Sequence, residues 1–199
     1  MKRIVLVLLS VVALAAAEDD KRAIAEANAA VRRGNEFAAN NSLPRARAEY
    51  QRALKIFPKH VDALYNLAVV CEKLGENKTA IEHYRHYLEI KPNDADVWTQ
   101  LGVRYDEADN KLDAEAAYEK ALAINPKFGR AHHNLGVLLK EQGKLDAAQK
   151  HFERFVQLEE AGNGQKGDAY YSLGTLLLAR GRLKDAKIVL QKALDVDPS

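Results

Sequence analysis

Pro58, Pro92 and Pro126 stand 34 residues apart, and Pro198 follows after 72. This regular spacing restricts the chain more than any other feature. A unit of about 34 residues cannot bury an apolar face by itself, so copies must stack and share a core. The stretch from Trp98 to Pro126 shows what is copied. Trp98, Leu101, Gly102 and Tyr105, then Ala114, Tyr118 and Ala121, place apolar or small residues three or four apart in two runs. Polar Asp109 and Asn110 separate the runs, which predicts two amphipathic helices joined by a tight turn. Pro126 has no amide proton and pushes Asn125 out of the helical region, so the second helix stops there.

The copies are in register. A first-helix column of Gly34, Ala68, Gly102, Gly136 and Gly174 is expected to meet a small-residue column in the second helix. That second column is Ala46, Ala80, Ala114, Ala148 and Ala186. Large residues recur one turn later at Tyr50, Tyr84, Tyr118, Phe152 and Leu190, and a further column reads Arg33, Leu67, Leu101, Leu135 and Leu173. With these columns and this period the chain resembles the tetratricopeptide repeat family over about 170 residues. The resemblance implies an all-α fold, a right-handed α-solenoid of about five antiparallel helix-turn-helix repeats. One domain, 18–199, would hold units near 27–60, 61–94, 95–128, 129–166 and 167–199. Ala30 and Arg33 replace large apolar residues in the first unit, which therefore reads as a solvent-facing cap whose first helix starts near Asp20. The fourth unit has Glu160 in place of the proline, and its four extra residues fall in the Gly-rich stretch 159–167, expected to be a loop insertion.

The first residues read as an address. Met1-Lys2-Arg3 is positive, Ile4 to Leu14 is apolar apart from Ser10, and Ala15-Ala16-Ala17 is a small-residue cleavage site before Glu18-Asp19-Asp20. This order predicts a secretory signal peptide, 1–17, cut after Ala17, and a periplasmic or secreted product. The apolar run is shorter than the ~20 residues that span a bilayer, so no membrane insertion is expected after cleavage. Removing Lys2 and Arg3 leaves 28 basic and 28 acidic residues, a balance without the basic excess of a nucleic-acid binder.

Chemistry is sparse. Cys71 is the single cysteine, shares a column with Phe37, Tyr105, Leu139 and Leu177, and reads as a small core residue. His83 and His86 share a helical face with Glu82 and Glu89 nearby, but lack a third well-spaced ligand. His132 lies in the Trp98 column and reads as packing. No phosphate loop, nucleophile elbow or HExxH segment occurs. We expect no enzyme, no cofactor and no metal; a metal-dependent or hydrolytic enzyme using the histidines is the weaker alternative.

In the tetratricopeptide family, one face of each first helix lines a concave groove that holds ligands. The matching positions here are Asp62, Tyr65, Asn66 and Val69 in the second unit, and Asp96, Thr99, Val103 and Asp106 in the third. The fourth and fifth add Arg130, His133, Asn134, Val137 and Lys140, then Asp168, Tyr171 and Thr175. Val69, Val103 and Val137 would form an aliphatic floor, and Asn66 and Asn134 resemble asparagines that hold a peptide backbone in this family. Acidic Asp62, Glu72, Asp96 and Asp106 followed by basic Arg130 and Lys140 predict a graded charge along the groove. The family's lysine/arginine clamp for a terminal carboxylate is not matched, because those columns hold Val31, Tyr65, Asp96 and Thr99. The expected function is a protein-interaction scaffold of the cell envelope that takes a partner peptide or helix. Ile188 and Val189, where other units are mostly polar or Ala, mark a candidate edge for self-association into a homo-oligomer.

Overall fold

A computed structural model describes the backbone of residues 2–161 and 166–197 and the side chains of 18–160 and 166–197. The predicted loop insertion lies partly, and Pro198 wholly, outside the described residues, as do the signal-sequence side chains. The described residues form ten helices and no strand. They are α1 (Lys2–Ala39), α2 (Leu43–Ile56), α3 (Val61–Lys73), α4 (Asn77–Ile90), α5 (Ala95–Glu107), α6 (Lys111–Ile124), α7 (Gly129–Glu141), α8 (Leu145–Ala161), α9 (Lys166–Ala179) and α10 (Leu183–Val196). The first helix continues back to Lys2 instead of beginning near Asp20. Among the described residues no helix is long and apolar enough to cross a membrane.

Every hairpin turns in the same way. Asn41, Gly75, Asp109, Gly143 and Gly181 all have positive φ, between 53° and 75°. After α5, the Asp109 amide donates to the Asp106 carbonyl and the Asn110 amide to the Tyr105 carbonyl, at 2.9 and 2.8 Å. After α7, Gly143 donates to Lys140 and Lys144 to Leu139 in the same pattern. This is the Schellman closure, which satisfies carbonyls that the ending helix leaves open and needs a left-handed residue just beyond it. Glycine adopts that conformation without strain, and Asn and Asp tolerate it best among the others. Among the second helices, α6 starts on a cap in which Asn110 Oδ1 accepts from the Asp113 amide, and α2 starts with Pro44 in its first turn. Two first helices among the described residues start on a side-chain cap: the Val97 amide donates to Asp94 Oδ1 at 3.1 Å, and that of Ala63 to His60 Nδ1.

The chain divides into two compact units, Met1–Pro92 and Asn93–Ser199. In the first, α1 packs on α2 and α3, and α3 on α4. Its core includes Ala27, Tyr50, Leu64, Leu67, Cys71 and Tyr84. Burial pushes the Cys71 thiol up to about 11, with help from the Glu76 carboxylate, so it is held protonated and fills space. Arg33, where other repeats carry leucine, points to Glu49 with an ion pair of 2.8 Å.

In the second unit successive helices pack in order from α5 to α10, and α7 also touches α5 and α9. Its core gathers Tyr118, Leu135, Leu138, Leu139, Phe152 and Leu176. The small-residue column has a different partner from the one expected. A Cβ built on Gly102 would lie 2.5 Å from the Tyr118 ring, and one on Gly136 2.7 Å from that of Phe152. The first-helix glycines thus make room for the large column of the second helix, while Ala114 and Ala148 are buried in the same core. An aromatic ring packed this closely against a helix backbone leaves no volume for a methyl group. Trp98 is half-buried, so Tyr118 and Phe152 carry more of the packing than it does.

Candidate functional site

The α3 candidates of the first unit are largely engaged by neighbouring side chains. Tyr65 packs on the rings of Tyr84 and Tyr87, with centroids 6.2 and 5.8 Å away. Asn66 donates through Nδ2 to Asn35 Oδ1 at 3.0 Å, and the same oxygen accepts the Tyr50 hydroxyl at 2.7 Å. Part of the hydrogen-bonding capacity expected to meet a ligand is thereby used to tie α1 to α3. Asp62 is exposed and Val69 half-buried.

In the second unit, α5, α7 and α9 each present one face to a common side. The α5 portion departs from expectation. Thr99 is 0% exposed, and its hydroxyl donates to the Ala95 carbonyl one turn back at 2.8 Å, so it is not a surface contact. Val103 and Val137 are half-buried and packed against the core, an aliphatic lining more than a free floor. The graded charge is corrected as well. Asp96 pairs with Arg130 at 3.0 Å, and Lys111 bridges Asp106 at 2.6 Å and Glu141 at 3.1 Å. The Asp106 and Glu141 carboxylates hold the Lys111 ammonium protonated, raising it to about 12. Asp96 and Asp106, expected to face a ligand, are instead matched within the fold, so the field they project is weaker than their count implies.

Between α7 and α9 the face opens. A cleft of ≈ 400 Å³ is lined by residues that include His133, Val137, Lys140, Asp168, Tyr171 and Thr175. Phe152 and Ser172 complete the lining. His133 Nδ1 is 3.3 Å from Asn134 Oδ1, an acceptor, which places its proton on that nitrogen. His133 Nε2, 3.1 Å from Ser172 Oγ, then accepts the serine proton. Lys140 Nζ donates to Thr175 Oγ1 at 3.4 Å, and the Thr175 hydroxyl donates to the Ser172 carbonyl at 3.0 Å. Tyr171 is 62% exposed and stands over the opening. The structure therefore brings together His133, Val137, Lys140 and Tyr171, and leaves Asp96, Arg130 and Asp106 in ion pairs outside this cleft.

Three family models described as tetratricopeptide repeat match residues 31–95, 95–128 and 128–199. The chain belongs to the tetratricopeptide repeat family. Relatives within the family include anaphase-promoting complex subunit 3 of Schizosaccharomyces pombe, 26% identical over 60% of this chain and 23% of that protein. The peroxisomal targeting signal receptor of Candida albicans is 33% identical over 45% of this chain and 15% of its own length. The chain thus spans less than a quarter of either relative. Among solved structures, a MamA protein superposes with a TM-score of 0.78 at 23% identity, covering 85% of this chain and 91% of that one. YrrB, described as a TPR protein with an unusual peptide-binding site, gives 0.71 at 23% identity, covering 85% and 86%. These likenesses establish the repeat fold.

Two features of this repeat chain escaped the sequence reading. Ser172 occupies the column of Asn66 and Asn134, the one signal that could have marked it. The other is an imidazole pair, His132 on α7 and His151 on α8, whose Nδ1 atoms lie 3.0 Å apart. His132 Nε2 donates to the Pro126 carbonyl at 3.1 Å, so its Nδ1 accepts from His151. Burial holds both imidazoles below the ordinary histidine value, and each is therefore neutral near pH 7. Among the described residues no group of three or more His, Cys, Asp or Glu is arranged to hold a metal ion.

Proposed function

We propose that this tetratricopeptide repeat protein is a non-enzymatic interaction module that holds a segment of another protein on the α5–α7–α9 face. The observation that carries this is the cleft between α7 and α9, where an exposed tyrosine, an aliphatic wall and a lysine converge. Exposed aromatic surface beside apolar and polar groups is the composition of protein contact sites. Kinship with a targeting-signal receptor and likeness to a solved protein with a peptide-binding site agree with this reading. A photoreactive phenylalanine analogue at Tyr171 should crosslink a specific protein, whereas the same group at exposed Glu119 on α6 should not. Equal crosslinking at both positions would remove the assignment. The order of residues 1–17 supports a place in the cell envelope, with a mature protein beginning at Glu18 as the expected product.

A second reading, self-association, is favoured by one observation. Ile188 is 61% exposed on α10, Leu194 is exposed too, and Tyr171, Leu190 and Leu194 line a second cleft of ≈ 420 Å³. Val189, named with Ile188 from sequence, is half-buried and contributes less. Sedimentation of the Ile188→Lys/Leu194→Lys variant decides it: an unchanged mass distribution eliminates this edge.

A further inference from the structure

The charged side chains of the second unit fall into two groups. Asp96 with Arg130, and Lys111 with Asp106 and Glu141, are paired. Lys140 and Asp168 are not: among the described residues Lys140 donates to one neutral hydroxyl at 3.4 Å, and Asp168 makes no ion pair or hydrogen bond. Both line the α7–α9 cleft. Arg130, the cation in the column of Asp168, is committed to Asp96. A half-buried ammonium with three protons and one long contact has two donors unused in a partly desolvated place. The protons of Ser172 and Thr175 are already given to His133 and to a backbone carbonyl. The cleft therefore offers charge at its two ends and apolar contact from Val137 and Tyr171 between them.

We propose that the cleft recognises a short extended segment of a partner protein by opposite charges at its two ends. An acidic side chain meets Lys140, a basic one meets Asp168, and an apolar one between them packs on Val137 and Tyr171. The proposal rests on the reading of this face as the partner site. Spacing sets the pattern. Asp168 and Thr175, which marks the Lys140 end, are seven residues apart on α9, or about 10 Å along the helix. Alternate residues of an extended strand face the same way, and the first and fifth lie about 13 Å apart, within reach once their side chains lean inward. The matching segment is acidic–x–apolar–x–basic.

The test is a titration of the isotopically labelled full chain with the blocked peptide acetyl-Glu-Ser-Leu-Ser-Arg-amide, followed by amide resonances. Shifts should be confined to α7 and α9, and raised salt should weaken binding. Lys140→Met and Asp168→Asn should each weaken it about threefold to tenfold, and neither residue belongs to the core. Lys140→Glu should reverse the preference at that end alone, favouring acetyl-Lys-Ser-Leu-Ser-Arg-amide over the original. Equal binding of a peptide with Gln at both charged positions, or affinity unchanged in both neutral variants, overturns the proposal. If the Tyr171 crosslink survives in those variants, the face still binds a partner and only the charge pattern is lost. If the chain with Lys140 and Asp168 intact neither crosslinks through position 171 nor binds the peptide, the site reading falls with the proposal.

Discussion

Phe152 on α8 and Leu190 on α10 occupy the same column of the repeat, yet they live in different surroundings. Phe152 is 1% exposed, lies on the backbone at Gly136, and belongs to a core fed by α6, α7, α8 and α9. Leu190 lies on Gly174 in the same manner but is only half-buried, and its helix leaves Ile188 and Leu194 in solvent. Apolar stabilisation scales with the area removed from water, so a side chain contributes according to its neighbours more than its column. Equivalent positions in a repeat array are therefore unequal energetically.

The sharpest way to break this comparison is to truncate both residues. Phe152→Ala should cost about 3–5 kcal/mol by loss of packing, while Leu190→Ala should fall at or below about 2 kcal/mol. Equal shifts in denaturant midpoint would show that the end repeat is as well packed as the interior. Gly136→Val comes next. Its added carbons must displace the Phe152 ring, and overpacking of this kind costs about 1–3 kcal/mol, read as a lower melting temperature. Removing Arg130, which pairs with Asp96 at an exposed site, should change stability by under about 1 kcal/mol; a larger loss would mean that the pair organises the α5–α7 face.

The last prediction concerns pH. Folding holds His132 and His151 below their unfolded value of about 6.5, so the unfolded chain binds more protons as that value is approached from above. Stability should be complete above that pH and should decline as pH falls below it. Protonating His132 also turns the accepting Nδ1 of the pair into a second donor, and the hydrogen bond between α7 and α8 is lost. A His132→Phe/His151→Leu variant should flatten the dependence seen in denaturation at pH 7.5 and about 5.5. His83, held low by burial and by the neighbouring His86, remains as a residual contribution. An unchanged slope would place the sensitivity elsewhere.

The repeat was legible because its signals are local and recur. Prolines end second helices, small and large columns share a period, and a left-handed Asn, Asp or Gly closes every first helix. The binding face was legible only as a set of columns. Which member of a column is buried, paired or open depends on residues far away in sequence. Thr99 satisfies its hydroxyl on its own helix, Asp96 finds Arg130 one repeat on, and Ser172 meets His133 across 39 residues. Column membership alone cannot distinguish these outcomes.

Sequence by itself therefore determined the family, the helical hairpins and the register of their contacts, because those follow from short-range periodicity and from the φ preferences of a few residues. Tertiary structure decided the partner of each small-residue position, the pairing of the charges and the opening between α7 and α9. Those depend on distances between side chains on different helices, and a difference of a few ångströms separates a paired charge from one left to meet a partner.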